Sequence, residues 1–294
     1  MHRHVILPIV AAFAAPVHAQ NGDAGSWNGE ISVTLAPKVG ASLPLSTELD
    51  PVDNSEFSGA FAIERKGRTG LTDFAIETGI TAAPQLLDDN DESSSLYAKA
   101  TLGDRYVPLP LLLDRLRGNA VAQARPDEVR PYASYQFTKV YSGFLDARTS
   151  DDHTVTAGIR YRDIRSVMSA TGEMGVYTEL RGEVARVWST DASREQIIPS
   201  VRARVVSRPL ARGVRVFGEA RGDFKFYTDR PLAVGDGNRE DQRLRLTAGA
   251  DITPLLGGPF IEIAVQYQKV WSNDPGAEHD RLFFAPVVQI SQAF

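Results

Sequence analysis

The feature that most constrains this chain is a two-residue alternation of apolar and polar side chains, clearest from Val214 to Phe226. Successive side chains of a β-strand point to opposite faces, so this alternation predicts a strand with one apolar and one polar face. The apolar face includes the small residues Gly218, Ala220 and Gly222. Small residues would leave a soluble core underfilled, whereas against lipid they cost little. The other face carries Arg215, Phe217, Glu219, Arg221, Asp223 and Lys225.

Twelve such segments follow one another along the chain. No backbone group can stay unpaired in lipid, so a sheet that spans a bilayer must close on itself. The prediction is therefore an all-β chain that forms a transmembrane antiparallel up-and-down β-barrel of about 12 strands. The segments cover residues 27–38, 56–66, 71–82, 95–104, 129–141, 152–163, 175–188, 197–208, 214–226, 242–253, 260–271 and 282–294.

Tryptophans at segment ends favour a membrane barrel over a soluble sandwich. Trp27 falls at the expected inner rim, while Trp188 and Trp271 fall at the expected outer rim. Aromatic residues are enriched at both interfaces of membrane barrels, where one part of the ring is apolar and the other meets water.

The first 19 residues predict export. A short basic start is followed by an apolar run and a small-x-small site that ends at Ala19. These are the parts of a cleaved signal peptide, so residues 1–19 are expected to be removed and residues 20–294 to form the barrel. The chain has no Cys, which excludes disulfides, thiolate metal sites and a lipoprotein signal.

The last strand, Leu282 to Phe294, alternates up to an aromatic final residue. It resembles the C-terminal signature of Gram-negative outer-membrane β-barrels, from which Gln292 departs. The resemblance implies a location in the Gram-negative outer membrane, contact with its lipid and lipopolysaccharide, and insertion by the barrel-assembly machinery. It also implies that Phe294 is the assembly signal.

The connections predict which end of the barrel lies outside. Residues 66–70, 209–213 and 254–259 form short turns, whereas residues 39–55, 83–94 and 227–241 form longer polar loops. The segment Arg105–Glu128 breaks this alternation, because it is long yet falls on the short-turn side. Its leucines and arginines are compatible with an amphipathic helix that caps or enters the barrel. Alternatively, the segment contains a short pair of strands, and the strand count would then be ten or fourteen.

Arginines dominate the polar face of the eighth to tenth segments, although acidic residues outnumber basic ones 37 to 32 in the whole chain. The overall negative charge excludes a broad nucleic-acid-binding surface. Forked arginine donors suit carboxylate and phosphate, and charged walls set pore selectivity. We therefore expect a porin-like channel for passive diffusion of small anionic solutes, architecturally similar to twelve-stranded porins for acidic sugars. The expected lumen residues are Arg202, Arg204, Arg215, Arg221, Arg243 and Arg245.

Two other functions stay open. The lumen could be filled by Arg–Glu pairs, which would give a closed barrel with a structural, adhesion or assembly role. An outer-membrane lipid hydrolase would need His153 or His279 as a catalytic residue. The sequence around each of them favours a solvated loop residue over a catalytic one. The acidic run 87–92 could bind divalent cations but lacks a calcium-loop spacing. We accordingly expect no enzyme, no catalytic residue, no metal site and no cofactor.

Overall fold

The computed structural model describes residues 28–42, 56–69, 72–83, 93–104, 107–108, 127–142, 145–163, 176–233, 235–256, 260–284 and 287–293. Their strands join in one antiparallel sheet. The strands are β1 Asn28–Ser42, β2 Glu56–Thr69, β3 Thr72–Ala83, β4 Ser93–Asp104, β5 Val107–Pro108, β6 Asp127–Ser142, β7 Ala147–Asp163, β8 Tyr177–Ser189, β9 Gln196–Val206, β10 Arg215–Pro231, β11 Asn238–Asp251, β12 Phe260–Ser272, β13 His279–Phe284 and β14 Val287–Ala293. Short helical turns occupy Ala192–Arg194, Ala211–Gly213, Thr253–Leu256 and Pro275–Ala277.

The pairing runs from each long strand to the next and returns to the first. Strand β1 pairs with β2 on one side and with both β13 and β14 on the other. Strand β12 pairs with β11 and also with β13 and β14. The described sheet thus has eleven long strands and a twelfth in two pieces, which confirms the predicted number of about twelve.

The two pieces of the twelfth strand flank Ala285 and Pro286, which lie outside the described residues. Val39 pairs with Phe284 and Leu35 pairs with Val288, so both pieces keep the same register along β1.

The outward face of the sheet is a band of exposed apolar side chains. Ile159, Val201 and Leu102 are 56%, 60% and 59% exposed, and many others on the same face are similarly open. An apolar band this large is found on proteins that bury it in a membrane or against a partner. The inward face carries the charged positions, as the alternation predicted. The fold is a transmembrane antiparallel up-and-down β-barrel.

No helix among the described residues is long and apolar enough to cross a membrane.

We call the rim where β1 begins and β14 ends the near end, and the opposite rim the far end. Trp188 and Trp271 lie on the outward face at the far end, on β8 and β12, and are 44% and 41% exposed. They take the positions expected of an interfacial girdle. Trp27, the predicted signal peptide 1–19, the acidic run 87–92 and Phe294 lie outside the described residues.

The prediction of a long loop over residues 227–241 is wrong in its extent, because strand pairing continues into these residues. Strand β10 reaches Pro231 and pairs there with Asn238, which begins β11. The tip closes with a hydrogen bond of 3.1 Å from Leu232 N to Gly237 O. Gly237 has a φ of 112°, which glycine adopts readily. Asp, Gly and Pro in the sequence mark this tight tip, not a loop of fifteen residues.

The exceptional segment Arg105–Glu128 contains the two-residue strand β5, in which Val107 and Pro108 pair with Val129 and Glu128 of β6. This addition is too short to span a membrane and leaves the count of spanning strands unchanged. The helix expected in this segment falls on residues 109–126, outside the described residues.

Candidate solute-binding wall of the barrel lumen

A row of arginines crosses the inner wall. Six of them, one from each strand from β6 to β11, lie directly opposite one another in the strand register. We call this set the arginine row. Like charges directly opposite on neighbouring strands repel, so such a row needs compensation from nearby carboxylates. Its members are Arg130, Arg160, Arg181, Arg202, Arg221 and Arg245.

Acidic residues occupy the two lumen rows on either side of the arginine row. Towards the near end, Glu128, Arg162, Glu179, Arg204 and Glu219 lie opposite one another and alternate in sign. Towards the far end lies a row that includes Glu183 and Asp223. Each arginine of the row can therefore reach a carboxylate in a flanking row, although the arginine row itself contains no acidic residue.

Asp223 on β10 is the centre of the strongest cluster. Its side chain is fully buried, and Arg221 Nε donates to Oδ1 at 2.8 Å. Oδ2 accepts from Arg243 Nε at 3.0 Å and Nη2 at 2.8 Å, and from Arg245 Nη2 at 2.8 Å. Three guanidinium groups thus share one carboxylate, and two positive charges remain within the cluster.

A balanced cluster lies closer to the near end. Glu219 accepts from Arg202 Nη2 at 2.6 Å and from Arg204 Nη1 at 3.5 Å. Arg204 also pairs with Glu262 of β12, which is three strands away round the wall. The Arg204 guanidinium lies 4.3 Å from the centre of the Phe217 ring, a cation–π contact that fixes its position. This cluster carries no excess charge and narrows the lumen.

Glycines make room for the large side chains inside the barrel. A Cβ on Gly158 would lie 2.7 Å from Tyr132 Cζ, so the Tyr132 phenol lies flat across this position. There it donates a hydrogen bond to Glu183 and accepts one from Arg181 Nε at 2.5 Å. Ser200 Oγ donates to Glu183 at 3.1 Å, which completes a neutral polar network on the wall.

The arginines of the row are partly exposed although they are paired with carboxylates. Arg160, Arg181, Arg202, Arg221 and Arg245 have side chains 32%, 27%, 29%, 36% and 22% exposed. A guanidinium has five N–H groups in a fixed fork, and the Nε atoms of Arg160, Arg202 and Arg245 are buried. Guanidinium groups that reach the lumen surface suit carboxylate or phosphate oxygens.

The structure distributes the six predicted lumen arginines over four rows. Arg202, Arg221 and Arg245 belong to the arginine row, Arg204 to the near-end row and Arg243 to the far-end row. Arg215 lies opposite Asp251 at the near end. Binding of a solute by these residues stays a prediction.

Three members of the arginine row, Arg130, Arg160 and Arg181, were absent from that predicted set. The alternation places each on the polar face, so the sequence contains the signal for their direction. Their alignment depends on the strand register, which no single strand encodes.

Two buried aspartates tie the far end together. Asp152 accepts from Ser189 Oγ at 2.6 Å and from Arg194 Nη2 at 2.7 Å, and Arg194 lies in the turn between β8 and β9. Asp241 accepts from Arg239 Nη2 at 2.8 Å and from Ser272 Oγ at 2.7 Å. These contacts hold the short far-end turns in place over the wall.

His153 and His279 lie in strands, so the prediction that they are loop residues is wrong. His153 on β7 is exposed on the outward face, where Nδ1 lies 2.8 Å from Tyr135 Oη and the ring 5.0 Å from that of Phe137. His279 on β13 hydrogen-bonds Gln268 at 3.2 Å. Strand pairing with β8 and β12 extends further towards the far end than the polar sequences around these residues suggested.

No family model matches the chain, and no curated protein matches it. Solved structures that resemble it include an outer membrane channel from Pseudomonas putida F1, with 11% identity, 94% of this chain and 100% of that chain covered, and a TM-score of 0.46. LpxR from Salmonella typhimurium is 8% identical, and the match covers 87% of this chain and 99% of that chain with a TM-score of 0.41. The β-domain of the Bordetella autotransporter BrkA is 10% identical, and the match covers 90% of this chain and 99% of that chain with a TM-score of 0.39. Such scores carry no argument about activity.

Proposed function

We propose that this protein is an outer-membrane channel through which small anionic solutes diffuse passively along an arginine-lined wall. The single observation that carries the proposal is the arginine row, six cations in direct register on neighbouring strands. A lumen lined on one side by partly exposed guanidinium groups attracts anions and repels cations.

The uneven compensation of the row supports this function over a purely structural one. A barrel filled for stability alone gains most when each buried charge has a partner. At Asp223 one carboxylate serves three arginines, which leaves two positive charges in the middle of the wall. An anionic solute in the lumen would supply the negative charge that these two arginines lack.

A closed barrel with a structural role is the second candidate, and one contact favours it. Arg204 on β9 reaches Glu262 on β12 and thereby spans part of the lumen beside Phe217. A barrel of about twelve strands lies between a filled interior and an aqueous channel, so this crossing point decides whether solutes pass.

A planar bilayer experiment separates the two candidates. Refolded protein of residues 20–294 is inserted under a potassium chloride gradient, and single-channel current and reversal potential are recorded. The channel proposal expects discrete steps with a reversal potential shifted towards that of chloride. Replacing Arg215, Arg243 and Arg245 with Gln is expected to shrink that shift. Because Arg243 and Arg245 donate to buried Asp223, the reversal potential is compared only for protein that gives the folded band on a heat-modifiability gel.

The matched control is Arg186→Gln on the outward face of β8, where the side chain contacts Glu195 and Trp188 and not the lumen. This variant is expected to keep the wild-type reversal potential. Folded protein that gives no current steps would favour the closed barrel, and a cation-biased potential would contradict the channel proposal.

The location and partners belong to the same proposal. Export by the predicted signal peptide leads to the outer membrane, where lipid and lipopolysaccharide contact the outward face and the barrel-assembly machinery inserts the chain. The proposal assigns no catalytic residue and needs no cofactor.

A further inference from the structure

A hollow of about 400 Å³ lies at the far-end rim, between the ends of β11 and β12. We call it the rim hollow. Its size falls within the range of small-molecule sites, which combine aromatic or apolar walls with a few polar groups. The exposed side chains that line it lie on the outward face, so its occupancy does not depend on passage through the lumen. The lining residues are Glu240, Gln242, Trp271, Ser272 and Asn273.

Trp271 supplies the aromatic wall of the rim hollow. It is 41% exposed and lies directly opposite Gln242 in the strand register. The Lys269 ammonium lies 5.3 Å from the centre of the Trp271 ring, and Asp280 accepts a hydrogen bond from the same ammonium at 3.1 Å. This cation–π contact holds the indole in place. The hollow thus has a flat apolar surface in a fixed position beside polar groups.

Two polar side chains of the rim hollow keep their hydrogen-bonding groups open. Glu240 and Gln242 are exposed, and within the part of the chain that the structure describes neither side chain makes a hydrogen bond or an ion pair. Asn273 fixes the backbone beneath Glu240, because its Oδ1 accepts from Glu240 N at 2.7 Å and its Nδ2 donates to Asn238 O at 3.0 Å. A carboxylate that accepts and an amide that donates and accepts are suitable partners for hydroxyl groups.

The charges of the rim hollow favour an uncharged polar ligand. A phosphate or carboxylate headgroup would meet the like charge of Glu240, while the charge of Lys269 is already shared with Asp280. An aliphatic chain would shield Glu240 and Gln242 from water without giving them hydrogen bonds, which is costly. A sugar ring satisfies both parts of the hollow, because it has an apolar face of C–H groups and a rim of hydroxyl groups.

We propose that the rim hollow binds one neutral sugar ring, which lies on the Trp271 indole and hydrogen-bonds the Glu240 carboxylate and the Gln242 amide through its hydroxyl groups. The ring belongs either to the headgroup of a glycolipid in the adjoining membrane leaflet or to a free oligosaccharide. Both sources present the same ring and the same hydroxyl groups to the hollow.

Tryptophan emission of the refolded barrel tests this site. Trp27→Phe and Trp188→Phe together leave Trp271 as the one tryptophan of residues 20–294. Maltose is the soluble probe, added to the barrel in an amine-oxide detergent that carries no sugar. For the second arm the barrel is placed in phosphatidylcholine vesicles with increasing fractions of a diacylglycerol that carries a maltose headgroup.

A saturable change of Trp271 emission is expected in both arms. Half-saturation is expected at about tenfold lower total maltose in the vesicles, because the membrane concentrates the headgroup at the rim. Saturation with one probe alone supports the site and identifies the source of the sugar. An emission that stays constant or never saturates in both arms overturns the proposal.

Glu240→Ala in the Trp271 reporter removes one acceptor of the site. The maltose concentration for half-saturation is expected to rise at least about tenfold, because ligand hydroxyls lose a charged partner. The Glu240 side chain is exposed, so the variant is expected to keep the folded band on a heat-modifiability gel. An unchanged half-saturation in the folded variant would overturn the role of this carboxylate and with it the proposed site.

The matched control is the reporter that keeps Trp188 and carries Trp27→Phe and Trp271→Phe. Trp188 belongs to the same girdle and has a similar cation–π contact, with Arg186 at 5.6 Å, but the Glu195 carboxylate near it is paired with that arginine. Its emission is expected to show no saturable response to maltose. A response equal to that of Trp271 would show that sugars adsorb to the girdle in general and would contradict a site at the rim hollow.

Discussion

Asp223 shows at the scale of one residue how this lumen is held together. Its side chain is fully buried, and its carboxylate accepts hydrogen bonds from three arginines on two strands. Removal of one partner from a buried charged network leaves the others uncompensated, and this costs more than an exposed ion pair contributes. The same carboxylate limits the positive charge of the wall, so we expect Asp223 to affect both the stability of the barrel and the selectivity of the proposed channel.

Asp223→Asn should therefore lower stability and raise anion preference together. The loss in unfolding free energy is expected to be about 3 kcal/mol, since three guanidinium groups lose their shared anion. Urea unfolding in lipid vesicles measures the first effect and the reversal potential measures the second. Asp236→Asn, at an exposed far-end tip, is the control and should change neither. A neutral effect of Asp223→Asn on stability would show that the three arginines do not depend on this carboxylate.

Gly158→Ala tests the close approach of Tyr132. The added methyl would lie 2.7 Å from the phenol and 2.9 Å from Glu183 Cβ, so the ring must move away from Glu183 and Arg181. Such overpacking costs about 1 to 3 kcal/mol. The matched control is Gly182→Ala on the next strand, where an added Cβ has nothing within 4 Å. Equal stability of the two variants by urea unfolding would argue against this placement of Tyr132.

At the scale of the strand, the alternation alone predicted which side chains face lipid and which face the lumen. On β10 the assignment holds at position after position, from exposed Val216 to buried Asp223. The reason is local, since the direction of a strand side chain follows from its parity. The strand ends were harder, because Asp, Gly and Pro near the tip of β10 and β11 read as a loop while cross-strand pairs still form there.

The arginine row could not be predicted from the sequence, because it exists only once the register is set. Arg160, Arg181 and Arg202 are separated by about twenty residues each, and a shift of one strand by two residues would place them opposite glutamates. Register depends on turn lengths and on the packing of whole faces. The sequence therefore predicted an arginine-rich wall without its order.

Val201→Arg tests at strand scale whether the outward face meets lipid. Val201 is 60% exposed at mid-height of β9. An arginine in the middle of a bilayer costs about 2 to 4 kcal/mol, whereas near the interface it costs roughly 0 to 1 kcal/mol. Gln242→Arg, opposite Trp271 at the far-end girdle, is the interfacial control. Unfolding free energies in lipid vesicles should differ accordingly, and equal values would place Val201 in water.

At the scale of the whole molecule, the described spanning strands pair from each one to the next, and β1 also pairs with the twelfth strand. A barrel of this size can be filled or can conduct. Balanced contacts such as Arg204 with Glu262 favour a filled lumen, whereas the excess positive charge around Asp223 favours the proposed anion channel. Which of them prevails is a property of the whole lumen.

Assembly is a second property of the whole molecule. Phe294→Ala is expected to lower the yield of membrane-inserted barrel in cells several-fold, because the terminal aromatic is the predicted insertion signal. The yield of the heat-modifiable form in isolated membranes measures this, and refolding of the variant in detergent checks that the barrel can still form. A wild-type yield would remove Phe294 from the assembly step.

The most direct test of the central claim is the reversal potential, in a potassium chloride gradient, of a variant in which Arg160, Arg181 and Arg202 are all Gln. Wild-type protein and Arg186→Gln should both show the chloride-biased value. The triple variant should move most of the way to the potential of an unselective pore, because half of the arginine row is gone. An unchanged, chloride-biased potential in the folded triple variant would contradict the claim that this row makes the barrel an anion channel.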